Sequence, residues 1–310
     1  MDRRDFLRAV AVAGTVMSIR QVGAMDMLTQ HIDGAGDKVD LVAVMGGEPE
    51  EMFRSGIEKL GGIQQFVKAG QKVVVKPNIG WDRAPELAGN SNPKLVAEIV
   101  RQCLAAGAKE VKVFDHTCDE WTKCYANSGI KAEAEAAGAQ MIPAHLESYY
   151  RPVTLPKGKS LKETKIHEAI LDADVWINVP VLKHHGGANL SISMKNLMGI
   201  VWNRRYFHSH DLQQCIADVC TLEKKPILNV VDAYRLMKTN GPQGRTVADV
   251  VNGKALFISQ DIVAVDTAAA KFFNQVREMP LETVGHLANG QALSLGTMNL
   301  DKLNVQRIRL

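Results

Sequence analysis

The sequence predicts an α/β fold with a mostly parallel or mixed central sheet and helices on both faces. Short runs rich in Val, Ile and Leu alternate along the chain with longer segments whose apolar residues recur at helical spacing. Repeated alternation of this kind is typical of parallel sheets whose strands are joined by helices. The strand-like runs at 72–75 and 175–182 are mostly apolar, which indicates strands that are covered on both faces.

Each predicted element follows from its local pattern. The helix over 93–106 has Leu95, Ile99 and Val100 at helical spacing and ends at Gly107. The helix over 212–222 begins with a predicted capping box, with Asp211 as N-cap and Gln214 three residues later. In chain order the predictions are strand 39–44, helix 49–67, strand 72–75, helix 93–106, strand 111–114, helix 130–137, strand 139–143, an irregular stretch 149–174, strand 175–182, helix 212–222, strands 226–231 and 255–259, helices 262–273 and 284–288, and strand 305–310.

The first residues match the pattern of a twin-arginine export signal. Arg3 and Arg4 precede Phe6 and Leu7, and an apolar run follows over 9–19. The run is shorter than the roughly 20 residues that span a membrane, and an amphipathic N-terminal helix is the alternative interpretation. We therefore predict export to the periplasm with the twin-arginine translocation machinery as partner, from a signal over 1–24, a polar linker over 25–38 and a single α/β domain over 39–310.

Composition limits the classes of partner. The formal net charge is +3 and aromatic residues make up 5% of the chain, so neither charge nor stacking surface favours nucleic-acid binding, and we expect none. The five cysteines are an odd number without a C-x-x-C spacing, so this sequence contains no iron–sulfur or zinc-ribbon motif. Cys118 and Cys124 are near enough in sequence to pair. The oligomeric state is left open, and a homo-oligomer is compatible with the sequence.

Polar residues follow five of the predicted strands. Ligands of open parallel sheets bind in the crevice beyond the carboxyl ends of the strands, so we expect these residues to form one convergent site. Asp and Asn are also favoured there as helix caps and turn residues, which is the structural alternative. That alternative is weakest for Lys183, because lysine is not a preferred cap. The five strand ends are Lys76-Pro77-Asn78, Asp115, Lys183-His184, Asp232 and Asp261.

The segment 175–211 contains four of the nine histidines and the run SMKNLMG. A lysine held in a pocket on such an apolar run can act as a base or hold an anion, although a lysine that reaches out to solvent is the alternative. Adjacent His184 and His185 point to opposite sides of an extended chain, so at most one faces the site. Asp266 is flanked by apolar residues and needs a partner, as a cap or in the site.

These observations give three sets of candidate site residues. Binding of a small anionic molecule is assigned to Lys76, Asn78, Lys183, Asn196 and the backbone of Gly241. Catalysis is assigned to Lys195, His208 and Asp115. A divalent metal ion, namely zinc, iron or nickel, is assigned to His184, His185, His210 and Asp232, which are suitable ligand types without a compact spacing.

The pattern of these residues resembles a bacterial and archaeal family known as domain of unknown function 362. The resemblance covers nearly all of the chain after the export signal, and the KNLMG run is its most specific part. It implies the fold and the location of the site, with a hint of redox or metal chemistry, because many members are labelled iron–sulfur centre proteins and carry a ferredoxin-like module. The residues that carry the resemblance are Lys76-Pro77-Asn78, Asn178, Pro180, Lys183, His185, Ser193, Lys195-Asn196-Leu197-Met198-Gly199, His208, Asp232, Gly241-Pro242, Asp261 and Asp266.

The sequence therefore favours an exported enzyme that acts on a small anionic molecule by metal-assisted acid–base or redox chemistry. The alternative is a non-catalytic periplasmic protein that binds a ligand or a cofactor, or that takes part in the maturation of another enzyme. The substrate is not specified by the sequence.

Overall fold

A ten-stranded sheet forms the centre of the computed structural model, which describes residues 38–310. The strands are β1 Leu41–Met45, β2 Lys72–Pro77, β3 Glu110–Val113, β4 Gln140–Met141, β5 Tyr150–Thr154, β6 Glu163–His167, β7 Val175–Val179, β8 Val181–His185, β9 Asn189–Ser191, β10 Leu228–Met237, β11 Val250–Ser259 and β12 Val305–Arg309. Neighbouring strands follow the order β12-β1-β11-β10-β7-β2-β3-β4, and β8 pairs with β10 and also with β9.

Most neighbouring strands run in the same direction. Strands β10, β7, β2, β3 and β4 are mutually parallel, and β12 is parallel to β1. The exception in the middle of the sheet is β11, which is antiparallel to both β10 and β1. The predicted fold class is therefore confirmed as a mixed, mostly parallel α/β sheet. A short hairpin of β5 and β6 forms a separate two-stranded sheet.

Helices cover both faces of the sheet, as predicted. Alternate residues of β2 enter different cores: Val73 and Val75 pack with the helices Pro49–Lys59 and Pro93–Ala105, whereas Val74 lies in the core that contains the helices Leu212–Val219 and Ile262–Val276. Each face buries an apolar layer, which is the main source of stability for such a fold. The helices are α1 Pro49–Lys59, α2 Pro93–Ala105, α3 Trp121–Asn127, α4 Ile130–Ala136, α5 Glu168–Asp172, α6 Ser193–Asn196, α7 Arg205–Ser209, α8 Leu212–Val219, α9 Ile262–Val276 and α10 Gly285–Ala292.

Several predicted element limits differ from the observed ones. The helix predicted over 49–67 ends at Lys59, because Gly61 and Gly62 adopt positive φ angles that break the helix. The stretch 149–174 contains the β5–β6 hairpin and α5. Asp211 does cap α8, since its Oδ1 accepts from the Gln214 backbone at 3.0 Å, but the Gln214 side chain donates along the helix instead of back to Asp211, so the predicted capping box is half formed.

Residues Lys38–Leu310 form one compact unit. The predicted export signal and residues 25–37 of the predicted linker lie outside the described residues. Within 38–310, no helix has the length and apolar character that crossing a bilayer requires.

Candidate functional site

Three of the five polar strand ends meet at the carboxyl edge of the parallel strands. Lys76 is the last residue but one of β2, Asp115 follows β3, and Lys183 lies on β8, which continues the line of β7 after Pro180. The other two do not join them. Strand β10 continues beyond Asp232, which leaves that residue inside the strand, and the antiparallel direction of β11 carries Asp261 to the opposite edge.

A fully buried ion pair lies at the centre of this edge. The Nζ atom of Lys76 is 2.9 Å from Oδ1 of Asp115, and both side chains are at most 1% exposed. The ammonium also donates to the backbone carbonyl and to Oδ1 of Asn196, at 2.7 and 2.8 Å. The second oxygen of Asp115 accepts from the backbone N–H of Ile79 at 2.7 Å. Burial lowers the pKa of Lys76, and the Asp115 carboxylate opposes that shift.

Gly199 provides the space for this ion pair. A Cβ atom at position 199 would overlap Oδ1 of Asp115 and Nζ of Lys76, and would lie 2.8 Å from Cε of Lys76. Real Cβ atoms essentially never approach another heavy atom closer than 3.0 Å. The glycine of the KNLMG run is therefore required by close packing against the buried charges.

Asparagine side chains connect the ion pair to the sheet. Nδ2 of Asn196 donates to Oδ1 of Asn178 at 2.8 Å, and Nδ2 of Asn178 donates to Oδ1 of Asn229 at 3.0 Å. Asn78 donates to Asn196 at 3.1 Å and accepts from Nζ of Lys183 at 3.0 Å. All these amides are occupied by protein partners, so they hold the lysines in position.

The short helix α6 carries Lys195 and Asn196 and is fixed at its N-terminus by Asp266. The two carboxylate oxygens of Asp266 accept from the backbone N–H groups of Ser193 and Met194, both at 2.8 Å. Asp266 thus satisfies two backbone donors that a helix terminus leaves unpaired. Burial raises the pKa of Asp266 to about 7. Of the two roles predicted for this residue, the structure shows the capping role.

A cavity of about 430 Å³ lies above these residues, and we name it the strand-end cavity. Four cationic side chains and one carboxylate line it. The carboxylate, Asp115, is already paired with Lys76, and none of the four cations has a carboxylate partner within residues 38–310. The cavity therefore has an uncompensated positive charge. The cations are Lys183, Lys195, Arg204 and Arg205, and the polar residues Asn78, His116, Cys118, His185, Asn196 and His208 also contribute to the lining.

The two lysines of the cavity differ in their partners. Lys183, which is 2% exposed, donates to Asn78 and to the carbonyl of Gly89, the latter at 2.5 Å. The partner of Lys195 is the thioether sulfur of Met198 at 3.5 Å, which is a weak acceptor. Burial lowers the pKa of Lys183 to about 7 and that of Lys195 to about 8. Lys195 thus offers the cavity an ammonium group with no oxygen partner among the described residues.

Two histidines of the cavity are held in opposite tautomers. Nδ1 of His185 accepts from the backbone N–H groups of Gly187 and Ala188 at 3.0 and 3.1 Å, so its hydrogen is on Nε2. Nδ1 of His116 lies 2.9 Å from the carbonyl of Val201, to which it must donate, so the lone pair is on Nε2. Burial lowers the pKa of His185 to about 2 and that of His116 to about 4, so both rings are neutral at pH 7.

His116 is also fixed in orientation. Its ring stacks on Trp202 with a centroid distance of 5.1 Å and an interplanar angle of 2°. Its backbone N–H donates to Gly199, and its carbonyl accepts from the Arg204 guanidinium at 2.6 Å. No hydrogen-bond partner occupies its Nε2 within residues 38–310. A positioned nitrogen of this kind can accept a proton from a bound molecule.

The predicted metal site is not formed by its four residues. His184 accepts the backbone N–H of Gly241 on Nδ1 at 3.1 Å, so in His184, as in His185, the hydrogen is on Nε2. A ligating histidine needs a free lone pair on the nitrogen that faces the metal, and its other nitrogen normally donates. His210 stacks on Tyr206 at the surface. Within 38–310, no group of three or more His, Cys, Asp and Glu side chains is placed to hold a metal ion.

Two further assignments change for physical reasons. Asp232 is buried and accepts from the backbone of Asn92 at 2.7 Å and of Tyr234 at 3.0 Å, so it positions a loop and is not a ligand of the site. The N–H of Gly241 is used by His184, and a Cβ at position 241 would overlap the carbonyl of His184. Gly241 therefore holds its loop against β8, and its N–H is not available to an anion.

The structure places some of the predicted catalytic and binding residues in the cavity and others behind its wall. Lys195 and His208 line the strand-end cavity, and Lys183 and Asn78 do as well. Asp115 lines it too, but both of its oxygens are engaged, so we assign it the role of positioning Lys76. Lys76 is 0% exposed and lies behind the cavity wall.

The family model described as "Domain of unknown function (DUF362)" matches residues 73–271. The chain belongs to this family. Every residue that lines the strand-end cavity lies within the matched range. The thylakoid-associated protein sll1697 of Synechocystis sp. is 27% identical over 221 residues, which cover 69% of this chain and 66% of that protein.

The solved structures that are similar to this chain include one of low sequence identity. The lactate racemase apoprotein from Thermoanaerobacterium thermosaccharolyticum is 14% identical with a TM-score of 0.49, over 80% of this chain and 59% of that one. The DUF362 chain thus spans less than two thirds of both proteins. At this level of similarity, the activity of the racemase cannot be assigned to this chain.

Sequence reasoning did not assign roles to His116, Arg204 and Cys118, which line the cavity of this DUF362 protein. His116 directly follows Asp115 at a strand end, so the rule that located Asp115 applies equally to it. Asn178 and Asn229 interrupt apolar strands, and that interruption was a usable signal of the buried network. The cysteines Cys118 and Cys124 are both free, so the pairing considered from their spacing is absent.

The lysine pKa values predict how the affinity of the cavity for an anion would change with pH. Lys183 and Lys195 lose their charge as the pH rises through about 7 and about 8, below the usual 10.5. We expect the affinity for sulfate, which does not titrate in this range, to fall as the pH rises from 6 to 9 and to be highest at pH 6. Calorimetric titrations across this range test this expectation. An affinity that is constant or that increases with pH would contradict it.

Proposed function

We propose that this DUF362 protein is exported and that its strand-end cavity binds a small anionic molecule, on which it performs acid–base chemistry. The observation that carries the proposal is the uncompensated positive charge of the cavity, to which Lys195 contributes an ammonium group without an oxygen partner in the described chain. A partly buried charge without a counterion is costly, and an anionic ligand offsets that cost.

The acid–base part of the proposal is based on the two histidine tautomers. The lone pair on Nε2 of His116 can accept a proton, whereas Nε2–H of His185 can donate a hydrogen bond. A bound anion between them meets a base and a donor in one cavity. The proposal does not include a metal ion bound by His184, His185, His210 and Asp232, because these four side chains do not come together at one site.

Export is proposed from Arg3, Arg4 and the apolar run that follows them. Fractionation of cells into periplasm and cytoplasm tests this part independently of the cavity. Protein confined to the cytoplasm would contradict it.

A test for turnover of small anions distinguishes the catalytic proposal from the non-catalytic alternative. A mixture of small carboxylic and phosphorylated metabolites is incubated in D₂O with the wild-type protein or with His116→Gln and analysed by mass spectrometry. Glutamine can still donate to Val201, so the variant should bind the anion as the wild type does. We expect one anion to gain deuterium or to be converted by the wild type, with a loss of at least about 100-fold in the variant.

Two results would contradict the catalytic proposal. Anion binding by the wild type with no change in any component of the mixture would favour a binding protein. Equal turnover by the wild type and His116→Gln would show that His116 is not the base.

A further inference from the structure

A second cavity, of about 1220 Å³, lies beside the strand-end cavity. The two share His116, Arg204 and Arg205 as lining residues. Most of the residues that line the second cavity belong to the β5–β6 hairpin or to the segment 202–206, so we name it the hairpin cavity. A molecule held in the strand-end cavity can therefore extend past the two arginines.

The two cavities differ in charge. Apart from the shared arginines, the hairpin cavity is lined by Glu147, Glu163, Lys162 and Lys165, and Nζ of Lys165 lies 2.7 Å from Oε1 of Glu147. Without the shared arginines, acidic and basic groups are balanced in the hairpin cavity, whereas the strand-end cavity still has Lys183 and Lys195, which have no carboxylate partner within residues 38–310. The anionic end of a ligand is favoured in the strand-end cavity, and an uncharged part is favoured in the hairpin cavity.

The remaining lining of the hairpin cavity suits a hydroxylated group. Thr154, Thr164 and Asn203 contribute hydroxyl and amide groups, and Trp202 contributes a half-buried indole ring. Hydroxyls and amides hydrogen-bond the hydroxyl groups of a sugar, and an indole presents an apolar body to its C–H groups.

The volumes of the two cavities support the same placement of the anionic and uncharged parts of the ligand. Small-molecule sites usually measure about 300–1,000 Å³. The strand-end cavity, at about 430 Å³, is near the lower limit, which suits a compact anionic group. The hairpin cavity supplies the space for a larger attached group.

We propose that the ligand is a sugar acid or a sugar phosphate, whose anionic group lies by Lys183 and Lys195 and whose hydroxylated part lies in the hairpin cavity against Trp202. This inference depends on the anion-binding function proposed above. It adds the class of ligand and assigns a role to the β5–β6 hairpin.

The test compares short anions with extended ones of the same type. Calorimetric titrations measure the affinities of inorganic phosphate against glucose 1-phosphate and of acetate against gluconate. If phosphate binds, we expect glucose 1-phosphate to bind at least about 10-fold more tightly than phosphate. If acetate binds, we expect the same gain for gluconate over acetate. In Thr164→Tyr, which narrows the hairpin cavity alone, that gain should be lost while the short anion keeps its affinity. Asn203→Ala, at an exposed position, is a second variant that removes a polar group of the same cavity.

The outcomes separate this inference from the function on which it depends. Binding of a short anion with no gain from extension in either pair would overturn the ligand class and leave anion binding intact. An equal loss of affinity for short and extended anions in both variants would overturn the separate role of the hairpin cavity. If no anion of either pair binds, the ligand class is overturned together with the anion-binding proposal.

Discussion

Replacing Lys76 with methionine is expected to lower the free energy of unfolding by about 3–5 kcal/mol. The substitution removes one partner of a buried pair and leaves the buried Asp115 carboxylate without its counterion. It also leaves the carbonyl oxygens of Asn196 without the ammonium donor. Chemical denaturation followed by circular dichroism measures the change. Lys72→Met is the matched control, because it removes an exposed lysine from the first position of the same strand.

A double variant shows whether the loss comes from the unpaired charge. Lys76→Met combined with Asp115→Asn removes the carboxylate charge and keeps an oxygen that can accept from Ile79. We expect the double variant to be more stable than Lys76→Met alone, because an uncompensated buried charge costs more than a neutral amide. A Lys76→Met protein as stable as the Lys72→Met control would mean that the ion pair does not stabilise the fold.

Gly199→Ala should destabilise the protein by a similar amount, about 3–5 kcal/mol, although it adds a single methyl group. The new Cβ would overlap the ion pair of Lys76 and Asp115, and neither side chain has free space because both are at most 1% exposed. The pair must then separate inside the core or the KNLMG run must move. Either change displaces α6 and with it Lys195, so anion affinity should fall together with stability.

The control for this variant is Gly186→Ala. The nearest atom to a Cβ at position 186, apart from its chain neighbours, is the carbonyl oxygen of Gly241 at 4.0 Å. Its change in the free energy of unfolding is therefore expected to stay within about 0.5 kcal/mol. Equal stabilities of Gly199→Ala and Gly186→Ala would show that close packing at Gly199 is not the reason for that glycine.

The location of the site could be predicted from the sequence wherever the direction of a strand could be predicted. Lys76, Asp115 and Lys183 follow apolar runs that are typical of the strands of parallel sheets, and the carboxyl ends of parallel strands meet at one edge. The same rule failed for Asp261, because the reversed direction of β11 is decided by its pairing with β10 and β1, which local sequence does not encode. It failed for Asp232 because β10 continues to Met237.

The roles of individual residues were less predictable than their positions. Whether a histidine can bind a metal ion depends on its tautomer, and the tautomers of His184 and His185 are set by backbone N–H groups of a loop and a turn that approach only in the folded chain. The partners of Asp115 and Asn196 come from strands and loops distant in sequence. Residue type alone therefore did not distinguish side chains that hold the lysines from side chains that face the cavity.

The proposal that the strand-end cavity binds an anion is tested most directly by Lys195→Met. The variant keeps a side chain of similar length and removes the ammonium group, and a hydrogen bond to a charged group contributes about 1.5–3 kcal/mol. The ligand is the one that binds the wild type most tightly among phosphate, glucose 1-phosphate, acetate and gluconate. Calorimetric titration at pH 6 should show that the variant binds it about 10-fold to 150-fold more weakly. The melting temperature of the variant should be close to that of the wild type. The matched control is Lys271→Met, at an exposed position of α9, which should bind as the wild type does. Equal affinities in all three proteins would contradict the account, because the uncompensated charge of Lys195 would then have no part in binding.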